Sequence, residues 1–291
     1  MKSEKIIPED KKQYDYRSNL IVDPDNPILI QKAWRDHFSG ESYWKEGKDG
    51  GKAYLGVRHG EDAMTWNVFR SLQQEGPKGY QVIADIFGLS QVEKILFWGC
   101  NVETAGEEQQ LLSILIRRTD GQLKGTMTEP DLVLITVSEV VFVECKLNQS
   151  GKQSPWRAQR GPSGRESGAA KRMEVYKERF PEIDEIKDWQ DIYQIIRQYV
   201  YARLLGDALG KKPVVIPLIN EDHLAVLEHI YLRAKSGPLG QAGILRDMVT
   251  WQALLSAISG ANLKCGMALQ NQMSEAFKAS KRYGKKAQEY D

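Results

Sequence analysis

TEPDLVLITVSEVVFVECKL, residues Thr128 to Leu147, is the stretch that decides the fold. Two apolar runs flank a short polar break at Ser138-Glu139. Asp131 opens the first run and Glu144-Cys145-Lys146 closes the second. Each run has strand length and is rich in β-branched residues. A charge at the end of a buried strand is costly, so charges gathered there need a partner. Centring an antiparallel hairpin on Ser138-Glu139 predicts the pairs Val137/Val140, Ile135/Phe142, Val133/Glu144 and Asp131/Lys146. Side chains alternate with period two and cross-strand partners share a face. Asp131, Glu144 and Lys146 are therefore expected on one face at one end. Leu132, Leu134, Val141, Val143 and Cys145 are expected on the other. Neighbouring carboxylates repel unless a cation lies between them, and hard oxygen donors suit Mg²⁺ or Mn²⁺.

Pro130-Asp131 followed by Glu144-x-Lys146 resembles the PD-(D/E)XK nuclease superfamily, with its restriction-endonuclease-like fold. The resemblance implies an α/β core ordered helix, three antiparallel strands, helix, strand. It implies that Asp131 and Glu144 bind the metal, that the backbone carbonyl of Cys145 completes its shell, and that Lys146 orients the attacking water. The tripeptide alone is weak evidence, since the chain also carries Glu9-Lys11, Glu46-Lys48 and Glu185-Lys187 in the same spacing. A decoy, Pro24-Asp25 with Glu46-Gly47-Lys48, has a helical pattern and a Gly/Ser/Glu loop between its acids. Only the stretch from 131 to 146 places its acids on two adjacent apolar strands.

The flanking sequence fits that order over about Gly60 to Asn220. RHGEDAMTWNVFRSLQ predicts an amphipathic helix from Glu61 to Gln74. Its apolar positions Val68 and Leu72 share the face of Glu61. The first core helix of the superfamily often carries an acid that reaches the metal, which makes Glu61 a candidate ligand and Asp62 its reserve. The plainer reading is that both acids favour the positive end of the helix dipole. Val92 to Trp98 reads as the first core strand. Gly106 to Asp120 reads as an inserted helix, with a strand as the alternative. Asp191 to Leu209 is a strongly amphipathic helix and Lys211 to Asn220 an apolar strand. Gln194, Arg197, Gln198 and Tyr201 lie on that helix at helical spacings. The second core helix of the superfamily commonly carries Gln, Arg or Tyr near the metal, so the resemblance makes Gln194 and Gln198 candidates to position water or phosphate, against a plain solvent face.

Between them, residues 148–172 are rich in Gly, Ser, Gln and Arg, with six basic residues against the single acid Glu166. A long irregular segment beside a catalytic cluster is typically functional. Lys152, Arg157, Arg160 and Arg165 are candidates to neutralise phosphates, and Trp156 to stack on a base. A solvated linker is the alternative.

Composition limits the rest. The chain has 291 residues, with 40 basic against 39 acidic, so a whole-protein positive field is absent while a local basic cleft is allowed. Cys100, Cys145 and Cys265 are far apart with no CxxC, which fits a reducing compartment and argues against structural zinc. The start lacks an apolar secretion segment and no run reaches membrane-spanning length, so a cytoplasmic protein without membrane contact is expected. The organisation read here is an N-terminal extension over 1–55, a nuclease core over 56–225, a C-terminal helical cover over 226–276 and a flexible basic tail over 277–291. In the extension, Asn26 caps a helix with Pro27 in its first turn. The expected architecture is a mixed central sheet flanked by helices, with helical additions at both ends. The resemblance implies a Mg²⁺- or Mn²⁺-dependent DNA endonuclease in restriction, defence or repair, and a homodimer would let it cut both strands. Alternatives are a non-catalytic nucleic-acid-binding protein of the same fold and an RNA-directed nuclease.

Overall fold

A computed structural model describes residues 19–29, 32, 60–103, 106–120, 129–147, 154, 156–158 and 168–288. Its centre is a six-stranded mixed sheet in the order β2-β1-β3-β4-β5-β6. The strands are β1 (Val92–Phe97), β2 (Cys100–Asn101), β3 (Leu132–Thr136), β4 (Glu139–Lys146), β5 (Lys212–Ile219) and β6 (Val249–Thr250). β1 to β4 pair antiparallel, whereas β5 joins β4 in parallel and β6 joins β5 in parallel. The helices around it include α1 (Glu61–Gln74), α2 (Pro77–Phe87), α3 (Glu107–Asp120), α4 (Gly168–Arg179), α5 (Tyr193–Leu209), α6 (Leu224–Ser236), the single turn α7 (Pro238–Gln241), α8 (Trp251–Gly260) and α9 (Gly266–Gln288). With α2, β2, α3 and α4 set aside, the chain runs helix, three antiparallel strands, helix, strand, the order expected from the sequence.

Alternation along the strands divides the core into two layers. Leu132, Leu134, Val141, Val143 and Cys145 pack with α1, α2, α8 and α9 on one face. Val133, Ile135, Val140 and Phe142 pack with α3, α4, α5 and α6 on the other. Because both faces of the sheet are covered, β3 and β4 are apolar almost throughout, as parallel-containing central strands require.

The hairpin register differs from the expected one. The observed pairs are Leu132/Val143, Val133/Phe142, Leu134/Val141 and Ile135/Val140, a shift of two residues. The cause is the loop. Thr136 Oγ1 accepts hydrogen bonds from the backbone N–H groups of Ser138 and Glu139, at 3.2 and 2.8 Å, closing a longer turn over Thr136 to Glu139. Val137 points into solvent. An even shift keeps every side chain on its predicted face, whereas a shift of one would have reversed them all. Extended by one residue, the register sets Asp131 beside Glu144.

Local chemistry fixes the helices around the sheet. Pro77 occupies the first turn of α2, and Gly88, at φ 59°, ends it in the left-handed conformation. A side chain at Gly79 would place its Cβ 1.8 Å from the Leu72 carbonyl oxygen, so glycine is required where α2 crosses the end of α1. Thr250 caps α8 by accepting from the Ala253 N–H. In the N-terminal segment the Asn26 side chain accepts from the Ile28 N–H, the cap expected there. Leu20 and Leu29 are buried in the α1-side core. Residues 277–288, within the stretch read as a flexible basic tail, continue α9 as helix. Among the described residues no helix is long and apolar enough to cross a membrane.

Candidate active site

Asp131 precedes β3, and Glu144 and Lys146 end β4. β4 is central in the sheet, so Glu144 is 1% exposed. Its carboxylate is surrounded by donors. Lys146 Nζ lies 2.9 Å from Glu144 Oε1. From α5, Gln198 Nε2 donates to Oε2 at 2.5 Å and an Arg197 guanidinium nitrogen lies 3.8 Å from the same oxygen. Asp131 Oδ2 accepts the Cys145 N–H at 2.8 Å, tying the two strands at the site itself.

The two carboxyls consequently differ. Burial, with Glu144 alongside, pushes Asp131 up to about 8. Burial alone would raise Glu144 too, but Lys146 and Arg197 outweigh it and hold that carboxyl below its usual range. Burial would lower Lys146, yet Glu144, Glu61 and Asp131 keep it well above the ordinary ammonium value. Cys145 points its thiol to the opposite face, where burial raises it well above the usual value. That leaves the Cys145 backbone carbonyl as the group this residue would offer a metal.

Of the two acids opening α1, Glu61 joins the cluster. Its carboxylate lies 3.4 Å from Lys146 Nζ and accepts the Leu147 N–H at 3.1 Å. Asp62 instead accepts from Trp98 Nε1 at 2.8 Å and pairs with Lys32 at 3.4 Å. On α5, Gln198 reaches Glu144, while one turn earlier the Gln194 N–H donates to the Trp156 carbonyl.

Among the described residues, no group of three or more His, Cys, Asp or Glu side chains is gathered as a ready metal cage. A buried carboxylate, Glu144, an adjacent half-buried one, Asp131, and a backbone carbonyl nevertheless have the oxygen chemistry that Mg²⁺ and Mn²⁺ prefer, with water filling the remaining positions. The Gln198 Oε1 atom, on the amide that holds Glu144, is buried with no hydrogen-bond partner among the described residues, which leaves an acceptor beside the site for water. The residues fit such an ion.

Trp156 corrects the sequence reading. It is fully buried in the α5-side core, so its ring is not presented to a nucleobase. Its segment is fastened to the turn before α5. Ser154 Oγ donates to the Asp191 carbonyl at 2.6 Å, and the Ala158 N–H donates to the Gln190 carbonyl at 2.8 Å. A large aromatic in an otherwise small and polar stretch gains more from burial than from exposure. Arg157 is half-buried and pairs with Asp191 at 3.6 Å. Lys152, Arg160 and Arg165 lie outside the described residues. Arg172, counted with the basic segment, is buried in α4 and donates to Asp120 at 3.1 Å.

Arg197 is the functional candidate that sequence reasoning did not single out. Its signal was a permanent charge flanked by Ile195, Ile196, Tyr199 and Val200, where burial without a partner acid would be prohibitive.

No curated protein and no solved structure matches the chain. A family model does, described as Restriction Endonuclease associating with ARP, over residues 3–284. The match takes in the N-terminal segment and the long C-terminal helix as well as the hairpin, and by that extent the chain belongs to this restriction endonuclease family.

Proposed function

We propose that the chain is a metal-dependent DNA endonuclease that hydrolyses phosphodiester bonds at Asp131, Glu144 and Lys146. The observation that supports this most is the placement of Asp131 next to Glu144 at the end of the central strands, with Asp131 Oδ2 accepting the Cys145 N–H and Lys146 Nζ 2.9 Å from Glu144 Oε1. Asp131, Glu144 and the Cys145 carbonyl would hold Mg²⁺ or Mn²⁺, which when bound neutralises phosphate charge and makes water a stronger nucleophile. Glu144 is kept in position by Gln198 and Arg197, so little reorganisation is needed at the moment of reaction. Lys146 orients the attacking water and offers positive charge to the transition state. Glu61 fixes Lys146 through its carboxylate and fixes the following backbone through the Leu147 N–H. In-line attack would leave a 5′-phosphate and a 3′-hydroxyl. Lys152, Arg157, Arg160 and Arg165 are proposed to contact the DNA backbone. The biological setting proposed is restriction, defence or repair. The family description names an association with ARP, and the same association is proposed for this chain.

The test is cleavage of plasmid, linear and single-stranded DNA with Mg²⁺ or Mn²⁺, with Glu144→Ala in parallel and RNA as competitor. Cleavage by the wild type and none by the variant supports the proposal. Equal cleavage by both, or wild-type cleavage that persists in chelator, refutes it. Preferential cleavage of RNA moves the substrate assignment and leaves the site assignment in place.

A further inference from the structure

Glu144 faces more positive charge than a metal ligand needs. Lys146 approaches one carboxylate oxygen and Arg197 the other. Arg197 is 7% exposed, so its guanidinium has no route to solvent without movement of α5. Its Nε atom is buried with no hydrogen-bond partner among the described residues. Among the described residues Glu144 is the carboxylate within ion-pair reach of this guanidinium, and Tyr201, Tyr193 and Tyr176 also act on it electrostatically. Without an added ion, Arg197 therefore depends on Glu144 for its counter-charge, and Glu144 is shared between Arg197 and Lys146.

The charges at the centre of the site can be counted. Asp131, Glu144 and Glu61 are acidic, and Lys146 and Arg197 are basic. Asp62, the next acid outward, has its own cation in Lys32. With Asp131 ionised to receive it, a divalent ion added to the central set leaves one positive charge in excess, and a single phosphodiester cancels it.

We propose that Arg197 is a fixed counter-charge to Glu144 that keeps divalent-ion affinity low until an anionic phosphodiester enters the site. The inference rests on Asp131 and Glu144 being the ligands of that ion. Arg197 is thus a positioning residue, acting on the ion through Glu144. Ion and substrate then bind cooperatively, and the coupling is reciprocal: each tightens the other by the same factor.

Calorimetric titration of Mn²⁺ tests this, alone and with a hydrolysis-resistant phosphorothioate duplex. The wild type should bind Mn²⁺ roughly tenfold or more tightly in the presence of the duplex. Removing one positive charge at this depth should tighten binding of Mn²⁺ alone by roughly tenfold or more in Arg197→Met, and should shrink the effect of the duplex. Arg197→Lys keeps the charge and should stay close to wild type. A purely structural arginine would give loosened binding in both variants. Unchanged or weakened Mn²⁺ binding in an Arg197→Met protein that still unfolds cooperatively overturns the proposal. If that variant does not fold, Arg197→Gln removes the same charge with a polar tip and is held to the same criterion. Asp131→Asn separates the two layers of argument. If it binds Mn²⁺ as tightly as wild type, the ligand assignment fails and Arg197 falls with it. If it loses Mn²⁺ while Arg197→Met is unchanged, only the counter-charge is refuted.

Discussion

Lys146 sits between two carboxylates, Glu144 at 2.9 Å and Glu61 at 3.4 Å, and its role is separable from theirs. Lys146→Ala is expected to abolish cleavage without weakening Mn²⁺ binding, because the carboxylates remain and a cation is removed. Single-turnover cleavage beside calorimetry reads both quantities, and a variant that loses the ion would assign Lys146 a structural part in the site instead. The acids and the lysine were legible in the sequence because charge at the end of an apolar strand is anomalous. Trp156 was not, because the composition of residues 148–172 describes a solvated loop while the ring itself is fully buried. Trp156→Ala should therefore cost ~3–5 kcal/mol of stability, the scale of truncating a large core aromatic. Denaturant unfolding measures it. A loss of DNA affinity with unchanged stability would restore the stacking role.

At the scale of elements, the sequence order predicted the core because its strands and helices carry distinct periods. Strand pairing was predicted on the correct face and two residues out of register, since the Thr136 hydroxyl, rather than the pattern of apolar residues, sets the loop. No helix was read for Pro77–Phe87 or Gly168–Arg179, although α2 has Pro at its start and a left-handed Gly at its end. The inserted segment before the motif resolved as helix α3, and one of its contacts has a pH signature. Burial would raise the Glu108 carboxyl, but Lys94, 2.6 Å away on β1, outweighs it and holds the group below its usual value. A depressed carboxyl stabilises the fold above its unfolded value of about 4.3 and loses that contribution as pH falls through the folded value. Glu108→Gln should lower stability modestly at neutral pH and make the acid limb of the stability curve shallower. The contribution is small because half the pair is solvated. Identical pH profiles for the two proteins would remove the pair from the account.

At the scale of the whole molecule, a site that binds an ion only when folded must make stability depend on that ion. Mn²⁺ at about a hundred times its dissociation constant should stabilise the wild type by ~2.7 kcal/mol, read as a higher melting temperature. Asp131→Asn should show no such rise, and an equal rise would place the ion elsewhere. The balanced total charge said little about where the site lies, because the arrangement that matters is local: a few charges set against an apolar sheet.

The division of the chain at residue 55 also looks different in three dimensions. Trp66 of α1 donates its indole N–H to the Val22 carbonyl, and Asn67 both donates to the Asn19 carbonyl and accepts from the Ile21 N–H. Gln272, on the last helix, donates to the same Asn19 carbonyl across 253 positions of sequence. The first described residues thus act as a clasp between the first core helix and the last. A shortened enzyme trimmed to the apparent start of its nuclease core would lose that clasp, expose the Trp66 indole and free the end of α1 from which Glu61 reaches the site. The smallest active version of this protein should accordingly begin before Asn19.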